Sequence, residues 1–319
     1  MGTALALAER GRGRTAPNPN VGCLIVREGR VVGRGWTQAS GRPHAEAMAL
    51  AEAGTNARGA TACVTLEPCA HRSPRGPACS DLLIEAGVAR VVAALEDPDT
   101  RTAGQGFARL EAAGISVTRG VRAKEARRSM AGFLTRQALG RPHVTLKLAT
   151  SLDGCIAMAD GSSRWITGPQ ARAHAHLERS RHEAILVGRG TYDADAPRLD
   201  VRLPGLEARG PMRVLLSATV KDLPGWTVIA APRDIATLPG VDHLLVEGGA
   251  AVASAFLAVD VVDRLLLYRA PILIGGGKPA LRDIGLTDLT EAHGRWAIVD
   301  ARQLGMDRLE VYERERNEA

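Results

Sequence analysis

Four side chains in the first quarter of the sequence have the types and order of a catalytic metal centre. They are His44 and Glu46 in Pro43-His44-Ala45-Glu46, Cys69 in Glu67-Pro68-Cys69, and Cys79. One imidazole and two thiolates would fill three tetrahedral positions of a zinc ion and leave the fourth open, the condition for a catalytic rather than a structural site. Zinc so held lowers the pKa of a bound water towards neutrality. Glu46 lies two residues past the imidazole and outside the ligand set, placed to take a proton from that water and pass it to the reacting ring and its leaving group. His71 is an alternative ligand. Cys23 and Cys63, each inside an apolar run, read as small buried hydrophobes.

The order H-x-E…P-C…C is the signature of zinc-dependent deamination, the hydrolytic removal of an exocyclic amine from a ring carbon. The two cysteines stand much further apart than the C-x-x-C of that signature.

The elements that must position these groups follow from the local pattern. Ala-Glu-Ala-Met-Ala-Leu-Ala-Glu-Ala is strongly helix-forming, so His44 and Glu46 open a helix. Cys69 follows the apolar run Ala60 to Leu66, a strand. Cys79 leads into a helix that stops at Gly87. Around them the sequence predicts a short helix over 3–10 and a hairpin of Val21–Val26 with Val31–Trp36. A strand over Val88–Leu95, a helix over Gly104–Ala113 and one long helix over Val121–Leu139 follow. Helices on a mixed sheet result.

The chain has 319 residues, enough for two domains. Gly140-Arg141-Pro142 is the expected boundary, giving domains of 1–141 and 142–319. Aromatic content of 3% leaves few stacking platforms for single-stranded nucleic acid, and no run of like charge forms a basic tail. The net charge of +6 suits a phosphorylated small molecule. Five cysteines, two of them assigned to metal, argue for a reducing cytoplasm. There is no signal-peptide core at Met1 to Arg14 and no apolar run of membrane-spanning length.

The second half alternates strand and helix, with strands expected from His143–Leu148 to Leu309–Tyr312 and helices at Pro169–Ser180 and Ala250–Ala258. Val246-Glu247-Gly248-Gly249-Ala250 ends a strand and opens a helix, where backbone N–H groups can approach a phosphate. Gly188-Arg189-Gly190-Thr191 lacks the third glycine of a dinucleotide fingerprint, so a nucleotide here is not bound in the Rossmann manner. Gly275-Gly276-Gly277-Lys278 reads as a turn.

Taken together, the sequence resembles the bifunctional deaminase–reductases of bacterial riboflavin biosynthesis along essentially its whole length. The likeness is carried by Pro17-Asn18-Pro19-Asn20-Val21-Gly22-Cys23, Pro43-His44-Ala45-Glu46 and Thr65-Leu66-Glu67-Pro68-Cys69-Ala70-His71. In the second half it is carried by Ser151-Leu152-Asp153-Gly154, Arg164-Trp165-Ile166-Thr167 and Val246-Glu247-Gly248-Gly249. The resemblance implies an α/β chain: a cytidine-deaminase-like three-layer α/β/α domain followed by a dihydrofolate-reductase-like α/β domain. It implies zinc-dependent deamination of 2,5-diamino-6-ribosylamino-4(3H)-pyrimidinone 5′-phosphate, then reduction of the ribosyl group to ribityl with NADPH. It further suggests a homo-oligomer, while composition leads to the expectation of a cytoplasmic protein without nucleic-acid or membrane partners.

Carried over by position, the resemblance makes His44, Cys69 and Cys79 zinc ligands and Glu46 the proton carrier, with Asn18 and Asn20 holding the deaminase substrate. It gives NADPH contacts to Ala149, Trp165, Thr191, Asp195 and Ser217, and to Gly249, Ala250, Ala251, Val252, Ala253, Ser254 and Ala255. Ser163, Arg179, Leu199, Arg202 and Glu247 take the reductase substrate, with Lys147 as an electrostatic helper. Arg179 and Arg202 suit a phosphate, which guanidinium meets bidentately. Departures from the family pattern are the longer Cys69–Cys79 loop, Ala196 in place of a second aspartate, Leu216 before Ser217 where an aspartate is common, and a slightly short N-terminus. A nucleic-acid-editing deaminase, a deaminase with a silent second half, and a zinc-stabilised scaffold are the competing expectations.

Overall fold

The computed structural model describes residues 1–71 and 75–316. The chain forms two compact units, Met1–Gly140 and Arg141–Ala319.

The first unit runs α1 (Gly2–Ala8), β1 (Gly22–Arg27), β2 (Arg30–Trp36), α2 (Ala45–Ala53), β3 (Thr61–Val64), α3 (Cys79–Glu85), β4 (Arg90–Ala93), α4 (Gln105–Ala112), β5 (Ser116–Thr118), α5 (Ala123–Ser129) and α6 (Ala131–Leu139). Its sheet has the order β2-β1-β3-β4-β5. β1 is antiparallel to β2 and β3, while β3, β4 and β5 are mutually parallel. Glu28 and Gly29 both take positive φ, 50° and 75°, the two-residue turn whose twist matches a hairpin. Alternation along β1 then sends side chains to both faces. Leu24 packs with Ala4 and Leu7 of α1, and Cys23 and Ile25 join the core that contains Ala45, Ala49 and Ala53 of α2. The result is three layers.

The closeness of α2 to the sheet is set by glycine. A Cβ on Gly33 would lie 2.0 Å from the Ala49 carbonyl oxygen, and one on Gly35 would lie 2.0 Å from that of Ala45. The glycines of β2 and the alanines of α2 therefore fix the height at which His44 and Glu46 stand above the strands.

The single helix expected over Val121–Leu139 is two helices, broken at Met130 (φ −102°, ψ 20°). Met130 is fully buried, and the Ser129 hydroxyl donates to Glu9 at 2.7 Å. Anchoring these neighbours to the core and to α1 turns the chain, so α6 leaves on a different line.

The second unit runs β6 (His143–Thr150), β7 (Cys155–Ala157), α7 (Pro169–Arg179), β8 (Ala184–Gly188), α8 (Arg189–Asp195), β9 (Met212–Leu216), β10 (Thr227–Ile229), β11 (His243–Val246), α9 (Ala250–Ala258), β12 (Arg264–Arg269), β13 (Lys278–Pro279), β14 (Trp296–Leu304) and β15 (Asp307–Arg314). The large sheet has the order β10-β9-β8-β11-β6-β12-β15-β14. Its first six strands are parallel, and β15 and β14 close it in antiparallel fashion. β8 and β11 are buried at every residue, as strands covered on both faces must be. The helix α8 was not expected from sequence. The glycine-rich turn before Lys278 leads into a short pairing of β13 with β7.

Candidate active sites

In the first unit the expected quartet converges. His44 is the extended N-cap of α2, Glu46 lies in its first turn, and Cys79 is the first residue of α3. Cys69 sits on the loop after β3, where Ser80 holds its carbonyl through both backbone N–H (3.2 Å) and hydroxyl (3.1 Å). The Nδ1 atom of His44 is 3.2 Å from the Cys79 Sγ and 3.7 Å from the Cys69 Sγ. The three potential ligand atoms lie within 4.8 Å of one another. These separations are those of donors around one small ion, and two thiolates with an imidazole are the donor set that zinc prefers. His71 is not of the group: its Nδ1 meets the Thr102 hydroxyl at 3.3 Å.

The Cys79 thiol donating to Cys69 holds the latter down to about 4, against the burial that pushes it up. The backbone N–H of Cys79 adds a hydrogen bond to the same sulfur at 3.3 Å. Cys79 is correspondingly raised. Glu46 is 3% exposed, and burial raises its carboxyl above the ordinary range.

A pocket of about 310 Å³ opens on this centre. Asn18, His44, Glu46 and Cys69 line it, and so do groups that the sequence reading did not name: Arg42, Arg75, Asp97, Asp99, Arg101, Phe133 and Gln137. Arg101 chelates Asp99, with Nε at 3.0 and 3.1 Å from its two oxygens. Arg75 donates to the Ser40 carbonyl. Burial pushes the Asp97 carboxyl up to about 6. The Asp97–Arg101 loop follows β4, at the carboxyl end of a parallel strand, where such sheets place ligands; that position was the available signal. Glu67 ties this loop to the cysteine loop. Its carboxylate, 2% exposed, accepts from the N–H groups of Asp97, Gly104, Gly106 and Phe107 at 2.8–3.2 Å.

Asn20 departs from expectation. It is 2% exposed and donates to the Ala8 and Ser129 carbonyls at 3.4 and 3.1 Å. Its amide fastens α1 to α5 and is absent from the pocket wall.

In the second unit the expected residues gather at or beyond the carboxyl ends of parallel strands: Ala149 on β6, Thr191 after β8, Ser217 after β9, and Glu247 and Gly249 after β11. Glu247 is the hub. Arg179 grips it bidentately at 2.7 and 2.9 Å, and Lys147 stands 4.0 Å away. Burial pushes the Glu247 carboxylate up, but the Arg179 charge and hydrogen bonds overcome this and hold it at about 2. The remaining Arg179 nitrogen donates to the Asp200 carbonyl at 3.1 Å. Each guanidinium nitrogen thus has a partner within the protein, through three of its five N–H donors. Arg202 is 54% exposed beside Asp200 at 3.1 Å.

Leu199 is buried at positive φ (55°) and clusters with Ile185, Val187, Leu215 and Leu245. Trp165 is 66% exposed, with the Arg172 guanidinium 4.8 Å above its ring, and Ser163 lies exposed nearby in sequence. Asp195 pairs with Arg164 at 3.2 Å. The Ser217 hydroxyl accepts from the Thr219 and Val220 N–H groups at 3.3 and 3.0 Å.

Of the stretch from Gly249 to Ala255, Ala251 is exposed and Gly249, Ala250 and Ala255 are half-buried. Val252 and Ala253 belong to the core, and Ser254 is bound to the Arg282 backbone at 2.7 Å. Helical geometry turns these three inward, so their side chains are not available to a cofactor.

Residues 1–95 match the cytidine and deoxycytidylate deaminase zinc-binding region, and residues 142–233 and 230–307 match the RibD C-terminal domain. The riboflavin biosynthesis protein RibD of Escherichia coli is 40% identical, the match covering 96% of each chain. The chain belongs to the RibD family. The Mycobacterium tuberculosis RibD is also 40% identical, over 97% of this chain and 95% of its own.

Among solved structures, Acinetobacter baumannii RibD superposes with a TM-score of 0.86 at 34% identity, covering 99% of this chain and 98% of the other. A diaminohydroxyphosphoribosylaminopyrimidine deaminase/5-amino-6-(5-phosphoribosylamino)uracil reductase from Thermotoga maritima gives 0.88 at 32% identity, covering 99% and 97%. The RibD fold is thereby matched in both halves, and the chain carries a zinc-dependent deaminase domain and an NADPH-dependent reductase domain of riboflavin biosynthesis. No helix among the described residues is long and apolar enough to cross a membrane.

Proposed function

We propose that the first unit deaminates 2,5-diamino-6-ribosylamino-4(3H)-pyrimidinone 5′-phosphate and that the second reduces the ribosyl group of the product to ribityl. The grouping of His44, Cys69 and Cys79 beside a pocket lined by His44, Glu46, Cys69 and three arginines carries this reading. Zinc, when bound by His44, Cys69 and Cys79, supplies an activated water. Glu46, buried and raised, takes the proton and returns it to the ring nitrogen and departing ammonia. Arg42 and Arg75 offer guanidinium groups to the 5′-phosphate, and Asn18 faces the same pocket.

In the second unit, Ala149, Trp165, Thr191, Asp195, Ser217 and the start of α9 at Gly249–Ala251 hold NADPH. Ser163, Leu199, Arg202 and the Glu247–Arg179–Lys147 cluster orient the sugar. Hydride transfer there depends on placement and exclusion of water. Five cysteines, two of them assigned to zinc, support a cytoplasmic location, and the family resemblance supports a homo-oligomer.

The phosphate reading is tested by comparing deamination of the phosphorylated compound with that of its dephosphorylated form. The expected result is a KM at least about tenfold lower for the phosphate ester, with the advantage lost in Arg75→Ala. Equal KM values for the two compounds would contradict it.

A further inference from the structure

The face of His44 that looks away from the thiols is held by Asn18. The side-chain amide nitrogen of Asn18, Nδ2, is placed 3.0 Å from Nε2, while Nδ1 faces the two sulfurs at 3.2 and 3.7 Å. We propose that Asn18 is a positioning residue of the metal centre, its amide oxygen accepting the Nε2–H of His44 and so fixing the tautomer that leaves Nδ1 free to bind zinc. The proposal rests on His44 being a zinc ligand and goes beyond a substrate role for Asn18.

The argument is one of proton count. A neutral imidazole has one N–H and one lone pair. Coordination through Nδ1 requires the lone pair there, so Nε2 carries the proton and its partner must accept. Metal-bound histidines commonly donate their second ring nitrogen to such a partner, which fixes ring orientation and raises ligand basicity. The two ends of an amide are exchanged by a half-turn about its terminal bond and are assigned from the hydrogen bonds they make. The zinc-binding arrangement therefore puts Oδ1, not Nδ2, against Nε2.

Asn18 is itself well placed to hold rather than follow. Its N–H donates to the Thr15 carbonyl at 2.9 Å, between Pro17 and Pro19. Gly41 packs so closely on its side chain that a Cβ there would come within 2.6 Å of Asn18 Cγ. The neighbouring Asn20, of the same type, is committed to the Ala8 and Ser129 carbonyls instead.

The test measures zinc affinity of the full-length chain by competition with a chromophoric chelator, for wild type, Asn18→Ala and Asn18→Asp, alongside KM and thermal midpoints. Asn18→Ala is expected to weaken zinc binding about 10–100-fold. Asn18→Asp, a stronger acceptor of the same shape, is expected to hold zinc at least as tightly as wild type. Wild-type zinc affinity in Asn18→Ala, with only KM raised, would overturn the proposal and leave Asn18 a substrate contact. Zinc loss in a folded Asn18→Asp would overturn it too, because the amide would then be a donor. This arm decides the matter even if the alanine variant fails to fold. Failure of the wild type itself to take up zinc would remove the zinc reading, and the proposal with it.

Discussion

In the first unit three potential ligand atoms from two helix starts and one loop stand within 4.8 Å of one another, with Cys69, Cys79 and the nearby Glu46 buried. In the second unit the corresponding residues are spread along the ends of four parallel strands and their loops, many of them exposed, with one buried ionic hub at Glu247. The difference follows the chemistry. Activating a water needs a rigid cluster of donors around one point. Aligning a dinucleotide with a sugar needs a long surface, on which no single side chain carries the reaction.

The sharpest separation of the two is expected from Glu46→Gln. It should lower ammonia release about 10²–10⁴-fold while leaving NADPH oxidation with pre-deaminated substrate unchanged. Parallel loss of both activities in a folded variant would break the comparison. Glu247→Ala should do the reverse, since it leaves Arg179 and Lys147 without their shared counter-ion. A cost of about 3–5 kcal/mol in the second unit, visible as an earlier thermal transition and lost NADPH oxidation, should leave deamination intact.

Acid should also distinguish the units. Glu247 and Asp263 are both depressed to about 2. In Asp263, burial pushes the carboxylate up, but the Arg141 hydrogen bonds at 2.7 and 2.8 Å and nearby positive charge overcome it. Their folded values lie below the unfolded ones, so their stabilisation is complete above about pH 4.5 and is lost as pH falls towards 2, about 2–3 kcal/mol each. Asp97 of the first unit has the opposite sign: raised to about 6, it favours the folded state more as pH falls below that value. Acid titration followed by unit-specific proteolysis should therefore show the second unit yielding first. The smallest effect is expected from Gly35→Ala, whose Cβ would meet the Ala45 carbonyl oxygen at 2.0 Å. Shifting α2 should cost about 1–3 kcal/mol and reduce deamination with no change in NADPH oxidation.

The zinc quartet was legible because its signal is local: residue types at short spacings beside strong helix and strand patterns. The hairpin and the openings of α2 and α3 were legible for the same reason. The break at Met130 was not, because it comes from anchoring to α1, distant in sequence. Asn20 resembled Asn18 in a symmetrical Pro-Asn-Pro-Asn run, and only packing reveals that one turns to His44 and the other to α5. The inward turn of Val252, Ala253 and Ser254 depends on which side of α9 meets the sheet. Arg42, Arg75 and the Asp97–Arg101 loop reach the pocket from three separate segments, a meeting that spacing does not express.

The most direct test of two separate sites in one chain follows ammonia release and NADPH oxidation separately with the diaminopyrimidinone ribosyl phosphate, before and after zinc chelation. The expected result is chelation-sensitive ammonia release, with NADPH oxidation surviving chelation when pre-deaminated substrate is supplied. Absence of both signals from folded, zinc-loaded protein would contradict the account.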